Sequence, residues 1–526
     1  MNKMHILDCT LRDGGYCNQW KFGFKNTQKI VQSLIEANIN IIECGFLTNQ
    51  IEYDANVSKY TTLEEIKRIL PGKNGEKMFV VMMNYGEYDV DDLPVCDGDS
   101  IDGVRVAFHK KDLDEALKVC KRLKEKGYKV FVQPMVSLGY TDEEFLSLIN
   151  KVNEFMPYAF YIVDSFGMMK KKNLMRLFYM VEHNLNESIW IGFHSHNNMQ
   201  LAYSNAQNLV EAQTSRNLII DSSIYGMGRG AGNLNTELFV EYLNENIGTT
   251  YVLKPLLNVI DEILNEFYQT NSWGYSLPNY LSAVYSVHPN YANYLSEKNT
   301  LTVEAMDEIF CMMNQEKKYE YDKNYIENLY LQYMETGKSQ EIHRDELQQF
   351  IQGKEVLLIA PGKSSEEEKE KIAQYAKQKN VIAVSINFDY QHVETKYIFL
   401  SNLRRFKELE MDKKNKCIVT SNIPADGVYL QTKYFELLTK EDTVKDNAGM
   451  MAIRFFINMG TKKIVLAGFD GYSHDVQKNY ALPQMTFATK NTLVDMLNEG
   501  MCKVLQEYRK EIEIEFLTTQ KYVKIL

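Results

Sequence analysis

The hydrophobic pattern of the first part of the chain alternates short β-rich runs with longer amphipathic stretches. Eight of these runs predict strands, at residues 4–8, 40–46, 78–83, 103–108, 129–134, 159–164, 191–194 and 218–223. The stretches between them, such as residues 26–37 and 113–126, have helical periodicity. Eight successive strand–helix units predict a TIM (β/α)8 barrel. The rival fold is an open Rossmann-type sheet, but that fold requires GxGxxG after its first strand, where this chain has CTLRDGGY.

The pattern changes after residue 250. Residues 251–336 are mainly helical and rich in aromatic side chains, as in WGYSLPNYLSAVYSVHPNYANYL, and residues 337–354 are polar and charged. The apolar runs VLLIAPGKS, VIAVSIN, YIFLSN, CIVTSNIP, KIVLAGFDG and EIEIEFL then predict a second α/β series of six strands. We therefore expect a TIM-barrel domain at residues 1–250, a helical extension at 251–336, a linker at 337–354 and a Rossmann-like domain at 355–526.

Composition narrows the expected partners. The formal net charge of -11 gives no electrostatic reason to bind nucleic acid or an anionic membrane, and we expect no membrane span. The segment MNKMHILDCTLRDGG lacks the apolar core of a secretory signal, and the eight cysteines form no CxxC pair. We expect a cytoplasmic protein with reduced thiols, and a homo-oligomer that associates through the helical region.

Polar side chains interrupt the apolar pattern where the predicted strands end. They are Asp8, Arg12 and Asp13 after the first strand, Glu43 in the second, Asp164 after the sixth, and His194 and His196 after the seventh. In a barrel the carboxyl ends of all strands share one mouth. His194 and His196 leave the same side of their strand, about 7 Å apart at the backbone. Two imidazoles and one carboxylate suit a divalent ion such as Mn²⁺, Mg²⁺, Zn²⁺ or Co²⁺, with positions left for substrate.

A glycine-rich stretch, GMGRGAGNLNTE, follows the eighth strand and is compatible with phosphate binding or with a tight turn. Together with LDCTLRDGGY, IIECGF and FHSHNN, in chain order and at barrel spacing, it resembles the DRE-TIM metallolyases. That family includes 3-hydroxy-3-methylglutaryl-CoA lyases, isopropylmalate and homocitrate synthases, and 4-hydroxy-2-oxovalerate aldolases. The resemblance covers about residues 4–240 and is strongest toward the aldolase branch, because WGYSLP and HPNYA are similar to that branch's helical extension.

The resemblance implies a set of roles for the residues at the mouth. It assigns the metal ligands to Asp13, His194 and His196, with Mn²⁺ as the expected ion. Arg12 matches the arginine that stabilises the enolate oxygen of the substrate, and Glu43 matches an acid that supports the arginine or the metal. The resemblance therefore predicts a divalent-metal-dependent enzyme in which a guanidinium group stands beside the metal ligands.

Substrate contacts are expected from Asp164, Asn233 and Tyr275, of which Asn233 matches an asparagine near the family's metal. The sequence departs from the aldolase branch at Tyr16, where the family has a histidine that acts as the base. A free tyrosine has a pKa near 10 and is a poorer base at neutral pH. The base is therefore left open between Tyr16, His109, Tyr275 and a metal-bound water.

These roles predict a carbon–carbon lyase that cleaves or forms a 4-hydroxy-2-oxo acid from pyruvate and an aldehyde. APGKSS, SINFD, VTSNIP, DNAGMM and LAGFDGY in the last part of the chain resemble an MptE-like Rossmann-type domain, which implies a nucleotide or nucleotide-sugar partner. Asp446, Asn447 and Asp470 are its candidate polar groups, and the fusion suggests a step in surface-sugar biosynthesis. The alternatives are a Claisen-type synthase using an acyl-CoA, and a non-catalytic barrel that serves a C-terminal transferase.

Overall fold

The computed structural model describes residues 4–72, 77–212, 214–298, 301–335, 343–482, 485 and 491–522. Its contacts divide the chain into two units. The barrel unit comprises Met1–Ala292 and Lys318–Tyr321, and the C-terminal unit comprises Asn293–Lys317 and Asp322–Leu526. The domain limits expected from the sequence remain a prediction, and residues 337–342 of the expected linker lie outside the described residues.

The strands of the barrel unit all pair in parallel. They are β1 Met4–Asp8, β2 Ile41–Leu47, β3 Lys59–Tyr60, β4 Met78–Asn84, β5 Gly103–Phe108, β6 Lys129–Pro134, β7 Ala159–Asp164, β8 Trp190–Ser195 and β9 Leu218–Ser222. Their order is β1-β9-β8-β7-β6-β5-β4-β2, and β1 also pairs with β2, so the sheet closes. β3 adds two residues alongside β2. Within the described residues this is an eight-stranded parallel barrel, and the predicted TIM fold is confirmed.

Helices follow the strands as the sequence pattern requires. In this part of the chain they are Thr10–Asp13, Gly15–Asn18, Phe24–Glu36, Leu63–Lys67, Leu113–Glu125, Asp142–Phe155, Lys171–Asn184, Ala202–Val210, Thr236–Asn246, Leu253–Val259, Asn265–Thr270, Leu277–Val284 and Pro289–Glu297. Asp142–Phe155 shows the local cause: Thr141 and Glu144 form a capping box at its start. Its buried residues Phe145, Leu148 and Val152 recur at helical spacing, so one face packs on the sheet.

Two apolar layers separate the inside of the barrel from its outside. In β7, Phe160 and Ile162 belong to the cluster that also contains the helix residues. Tyr161 and Val163 belong to a smaller cluster in which every buried member but Cys9 lies in a strand. This alternation follows from the period of two along a strand. By the same alternation, Arg105 in β5 stands on the inner side of the sheet, because Val104 and Val106 belong to the outer cluster.

The C-terminal unit contains a second parallel sheet. Its strands are β10 Glu355–Ile359, β11 Val381–Ile386, β12 Tyr397–Leu400, β13 Cys417–Thr420, β14 Leu430–Thr432, β15 Lys463–Ala467 and β16 Glu513–Phe516, in the order β14-β13-β12-β11-β10-β15-β16. The remaining helices are Val303–Cys311, Lys323–Glu335, Arg344–Ile351, Ser364–Glu367, Lys369–Ala376, Leu403–Glu408, Ala448–Asn458 and Asn491–Tyr508. Within the described ranges the sheet has seven strands, one more than the six expected from the sequence. The additional strand is β14, which has only three residues and therefore gives little sequence pattern.

A search of the described helices for an apolar stretch long enough to cross a bilayer finds none.

Candidate metal centre

Three side chains converge at the carboxyl end of the barrel. Asp13 ends the short helix that follows β1, His194 lies in β8, and His196 follows two residues later. One ligand atom from each lies within 4.8 Å of the others. The two imidazole rings are nearly perpendicular, with centroids 5.2 Å apart. All three residues are buried, so the chain has assembled a compact group of ligand atoms away from bulk water.

The carboxylate of Asp13 is held by neighbours from two loops. Asn233 Nδ2 donates to Asp13 Oδ2 at 2.7 Å, and Arg12 Nη1 lies 2.5 Å from Asp13 Oδ1. Burial alone would raise the pKa of Asp13, but Arg12, the two histidines and Asn233 outweigh it and lower the pKa. Asp13 is therefore ionised at neutral pH, as a metal ligand must be.

A glycine lets the loop after β9 approach the Asp13 carboxylate closely. A Cβ on Gly228 would come within 2.7 Å of Asp13 Oδ2 and would also collide with Asn233. The glycine-rich stretch after β9 therefore packs its backbone directly on the Asp13 carboxylate. Of the two interpretations left open by the sequence, the contacts support a tight turn here, and no phosphate is needed to explain this glycine.

The two histidines differ in their surroundings. His194 Nδ1 lies 2.9 Å from Asp221 Oδ2, which fixes the ring and leaves Nε2 for a ligand. Burial lowers the pKa of His196 to about 4, although Asp13 opposes this, so its ring is neutral at neutral pH. His196 Nδ1 is buried without a hydrogen-bond partner and lies 3.8 Å from Asp13 Oδ2.

This donor set fits a divalent cation. A buried, unpartnered ring nitrogen costs free energy unless something binds it. Next to it stand an ionised carboxylate and a second imidazole whose orientation is fixed, which are the ligand types of catalytic divalent-metal sites. The side chains of Asp13, His194 and His196 therefore match what such an ion requires.

Arg12 stands beside the ligands in a fixed position. Arg12 Nε donates to Glu43 Oε2 at 2.9 Å, and Trp20 Nε1 donates to the Arg12 carbonyl oxygen at 2.7 Å. Burial lowers the pKa of Arg12, but Glu43 and Asp13 outweigh this and raise it, so the group is always cationic. Its Nη2 is buried and makes no hydrogen bond. One charged donor therefore remains available next to Asp13.

A second buried cation links the arginine to the histidine. Arg105 Nη1 lies 2.9 Å from Glu43 Oε1, although the alignment is too poor for a hydrogen bond, and Arg105 Nη2 pairs with Asp221 Oδ2. Tyr161 Oη donates to Asp221 Oδ1 at 3.0 Å. Burial would raise the pKa of Asp221, but Arg105 and His194 lower it. Acidic and basic side chains thus alternate from Asp13 to His194, in the order Asp13, Arg12, Glu43, Arg105, Asp221 and His194.

Sequence reasoning missed Arg105, Tyr161 and Asp221. A signal was present, because Arg105 is the only charged residue in the strand GVRVAF and Asp221 is the only one in LIIDS. A charge on the inner side of a barrel strand needs an opposite charge nearby. The pattern did not identify the partner, because β5 and β9 are not neighbours in the sheet.

Part of the barrel is similar to a known family. Residues 103–261 match the HMGL-like family model. This stretch begins at β5 and includes His194 and His196. This agrees with the predicted DRE-TIM resemblance, whereas the MptE-like resemblance of the C-terminal part remains a prediction.

The chain is also similar to two 4-hydroxy-2-oxovalerate aldolases. The one from Geobacillus genomosp. 3 is 28% identical over 245 residues, which is 46% of this chain and 70% of the relative. The one from Geobacillus thermodenitrificans is 25% identical over 264 residues, or 49% of this chain and 75% of the relative. The similarity thus extends over about half of this chain.

Two solved structures are also similar to this chain. The N-terminal domain of a candidate aldolase from Bacteroides vulgatus is 26% identical, covers 56% of this chain and 96% of its own, and has a TM-score of 0.47. The HMG-CoA lyase from Brucella melitensis is 15% identical, covers 51% of this chain and 98% of its own, and has a TM-score of 0.40.

The three predicted substrate-binding residues lie in different surroundings. Asn233 contacts Asp13, as described above. Both carboxylate oxygens of Asp164 accept backbone N–H groups, from Met168 at 3.0 Å and Met169 at 2.9 Å, and burial raises the pKa of Asp164 to about 7. Tyr275 is 61% exposed and its ring lies against Tyr280. The described contacts bring Asn233 to the metal ligands, and they show Asp164 holding a loop and Tyr275 at the surface.

Tyr16 lies at the mouth of the barrel. Its ring meets the edge of Trp20 at 4.8 Å, and the guanidinium carbon of Arg229 lies 5.4 Å from its centroid. The surrounding protein raises the pKa of Tyr16, with Arg229 opposing, although 41% of the residue is exposed. Tyr16 is therefore protonated at neutral pH, which suits a proton donor better than a base. The other candidate, His109, is half-buried, and burial lowers its pKa.

The candidate polar groups of the C-terminal unit are already bound within it. Asp470 accepts from the backbone N–H of Ser364 at 2.8 Å and from its hydroxyl. Asp446 accepts from two buried tyrosine hydroxyls, and Asn447 caps helix Ala448–Asn458. Their roles toward a nucleotide remain a prediction.

Asp221→Asn should weaken divalent-metal binding by about 10- to 100-fold, because the amide no longer holds the His194 ring by a charged hydrogen bond. Isothermal titration with Mn²⁺ measures this. Asp8→Asn is the matched control: Asp8 is also a buried aspartate at a strand end, but its carboxylate accepts from Thr10 and Thr236. Equal affinity in Asp221→Asn and the wild type would contradict the positioning role.

Arg105→Met should lower the melting temperature more at about pH 8 than near pH 5. Without the guanidinium, burial raises the pKa of Asp221, so stability is lost as pH rises through the raised value. Leaving a buried charge unpaired costs about 3–5 kcal/mol. Thermal unfolding of both proteins in chelator at the two pH values tests this. The control is Arg122→Met, which removes an exposed arginine that pairs with Asp91. A loss of melting temperature in Arg105→Met that is the same at both pH values would contradict this role of Arg105.

Proposed function

We propose that the HMGL-like barrel is a divalent-metal-dependent aldolase that forms or cleaves a 4-hydroxy-2-oxo acid, with pyruvate and an aldehyde as the two partners. The observation that carries the proposal is the buried triangle of Asp13, His194 and His196 beside the guanidinium of Arg12. The names of the two aldolase relatives support the same reaction class.

The metal would be held by Asp13, His194 and His196, and Mn²⁺ is the ion we favour. When bound, a divalent ion polarises the carbonyl group of a 2-oxo acid as a Lewis acid. The chain's own residues prepare this site. Asp221 holds the ring of His194, and Asn233 holds the carboxylate of Asp13. Because these contacts hold both side chains in fixed orientations, they need little reorganisation to bind an ion.

Arg12 supplies the electrostatic stabilisation. Breaking or forming the bond at C3 of the oxo acid develops negative charge on the carbonyl oxygen, and a fixed cationic donor lowers the energy of that enolate. Arg12 is suited to this because Glu43 fixes its Nε while Nη2 stays without a partner. Burial excludes water, so the interaction is stronger than at a surface.

Tyr16 is the proton donor in the condensation direction. A raised pKa keeps its hydroxyl protonated at neutral pH. Its ring lies beside Trp20, whose indole Nε1 donates to the carbonyl oxygen of Arg12. In condensation the aldehyde oxygen becomes the C4 hydroxyl and takes up a proton. In the cleavage direction the tyrosine acts as the base in its deprotonated form and takes the proton back from the C4 hydroxyl.

The C-terminal sheet would bind a nucleotide or a nucleotide-sugar. Its strands run outward in both directions from β10, and open parallel sheets bind ligands at such a switch point. With a Rossmann-like domain attached, the aldolase would act in the cytoplasm, as a homo-oligomer, on a precursor of a surface sugar.

The purified protein should exchange the methyl protons of pyruvate for deuterium in heavy water when Mn²⁺ is present. Proton NMR after chelator quench measures the loss of the methyl signal. Arg12→Ala should slow this exchange by about 10²- to 10³-fold, as expected for losing one enolate donor, and His194→Ala should abolish it.

Arg122→Ala removes a surface arginine and is the matched control for Arg12→Ala. Exchange at the wild-type rate in Arg12→Ala would overturn the role of Arg12. No exchange in the wild type would overturn the pyruvate aldolase and leave the acyl-CoA synthase or the non-catalytic barrel, which incorporation of labelled acetyl-CoA then separates.

A further inference from the structure

Arg229 is a cation at the barrel mouth that takes no part in the proposed aldol reaction. It lies in the glycine-rich stretch, and its backbone N–H points to Asp13 Oδ2 at 3.4 Å. Its guanidinium carbon lies 5.4 Å from the centroid of the Tyr16 ring. The guanidinium therefore stands beside Tyr16 at the mouth of the barrel.

The partners of this guanidinium are neutral. Arg229 Nη2 contacts the ring nitrogens of His288, with Nδ1 at 3.3 Å, and lies 3.4 Å from Asn290 Oδ1. Burial lowers the pKa of His288 to about 2, with Arg229 acting in the same direction, so the imidazole is uncharged. Across the described residues no carboxylate forms an ion pair with Arg229. Its positive charge is held in place but not compensated.

Glu320, an acid in the segment Lys318–Tyr321 of the barrel unit, is paired with a lysine. Its carboxylate oxygens lie 3.0 and 2.9 Å from Lys111 Nζ. Lys111 and Glu320 are both largely exposed. The carboxylate of Glu320 therefore pairs with Lys111, and it forms no ion pair with Arg229.

The support for His288 comes from a distant part of the sequence. The backbone N–H of His288 donates to the carbonyl of Lys318 at 2.8 Å, and its ring stacks on Tyr321 and meets the edge of Phe166. These contacts fix the ring that orients Arg229. A guanidinium held by neutral acceptors in an aromatic frame is suited to bind an anion, since its remaining N–H groups match carboxylate and phosphate oxygens.

We infer that Arg229, oriented by His288 and Asn290, binds a carboxylate or phosphate group on the aldehyde substrate. The inference rests on the proposed aldolase function. Pyruvate already has the metal ligands and Arg12, so an additional cation at the mouth serves the second substrate. The preferred aldehyde is therefore an anionic one, with its charged end at Arg229 and its carbonyl carbon toward the ligands.

Saturation-transfer NMR on the full chain in chelator tests binding without the reaction. The ligands are 4-oxobutanoate against butanal, and glyceraldehyde 3-phosphate against glyceraldehyde, so that carboxylate and phosphate are distinguished. At least one anionic aldehyde should bind about tenfold or more tightly than its neutral counterpart. Arg229→Gln should abolish the preference, and Arg229→Lys should keep part of it.

Arg176→Gln, which removes an arginine on an outer helix paired with Asp142, should keep the full preference. The same ratios of kcat/KM with metal present should follow the binding ratios, with the neutral aldehyde as the reference for each variant. Equal binding of charged and neutral aldehydes by the wild type, or a preference that survives Arg229→Gln, would overturn the inference. Pyruvate exchange without any anion preference rejects the subsite alone, and anion preference without exchange rejects the proposed function alone.

Discussion

The site depends on an alternating series of buried charges that crosses the inside of the barrel. Its members are Asp13, Arg12, Glu43, Arg105, Asp221 and His194. Each acid lies between two cations or between a cation and an imidazole, so no charge is buried without an opposite neighbour. The series fixes the carboxylate at one end and the imidazole at the other end. Asp13 follows β1 and His194 lies in β8, and these two strands lie on either side of β9. The orientation of the candidate ligands, the position of Arg12 and the stability of the barrel interior therefore depend on the same contacts.

The strands and the ligand group could be predicted because their signals are local. The residues of β1, β5, β6 and β7 follow from apolar runs alone. The grouping of Asp13, His194 and His196 follows from their positions at or just after strand ends. The pairing of Arg105 with Asp221 could not be predicted, because it depends on which strands face each other across the barrel. Strand β14 was not predicted, because its three residues are too few to show a periodic pattern.

The functions of single polar residues were harder to foresee for a related reason. Asp164 ends a strand as the ligands do, yet its carboxylate turns back onto the amides of its own loop. His288 has no local sequence signal, because its ring contacts Arg229, about 60 residues earlier in the chain. Such roles arise from long-range contacts, which no local pattern encodes. The charges in the barrel are balanced near the ligands and unbalanced at Arg229, which separates the places where the two substrates would bind.

The central claim is that Asp13, His194 and His196 form one divalent-metal site. The most direct measurement is anomalous diffraction from crystals of the full chain soaked in Mn²⁺. The account predicts one strong anomalous peak in the barrel, within about 2.0–2.3 Å of a ligand atom from each of the three residues. A barrel without a peak, or with a peak bound by other residues while the triangle stays empty, would contradict it.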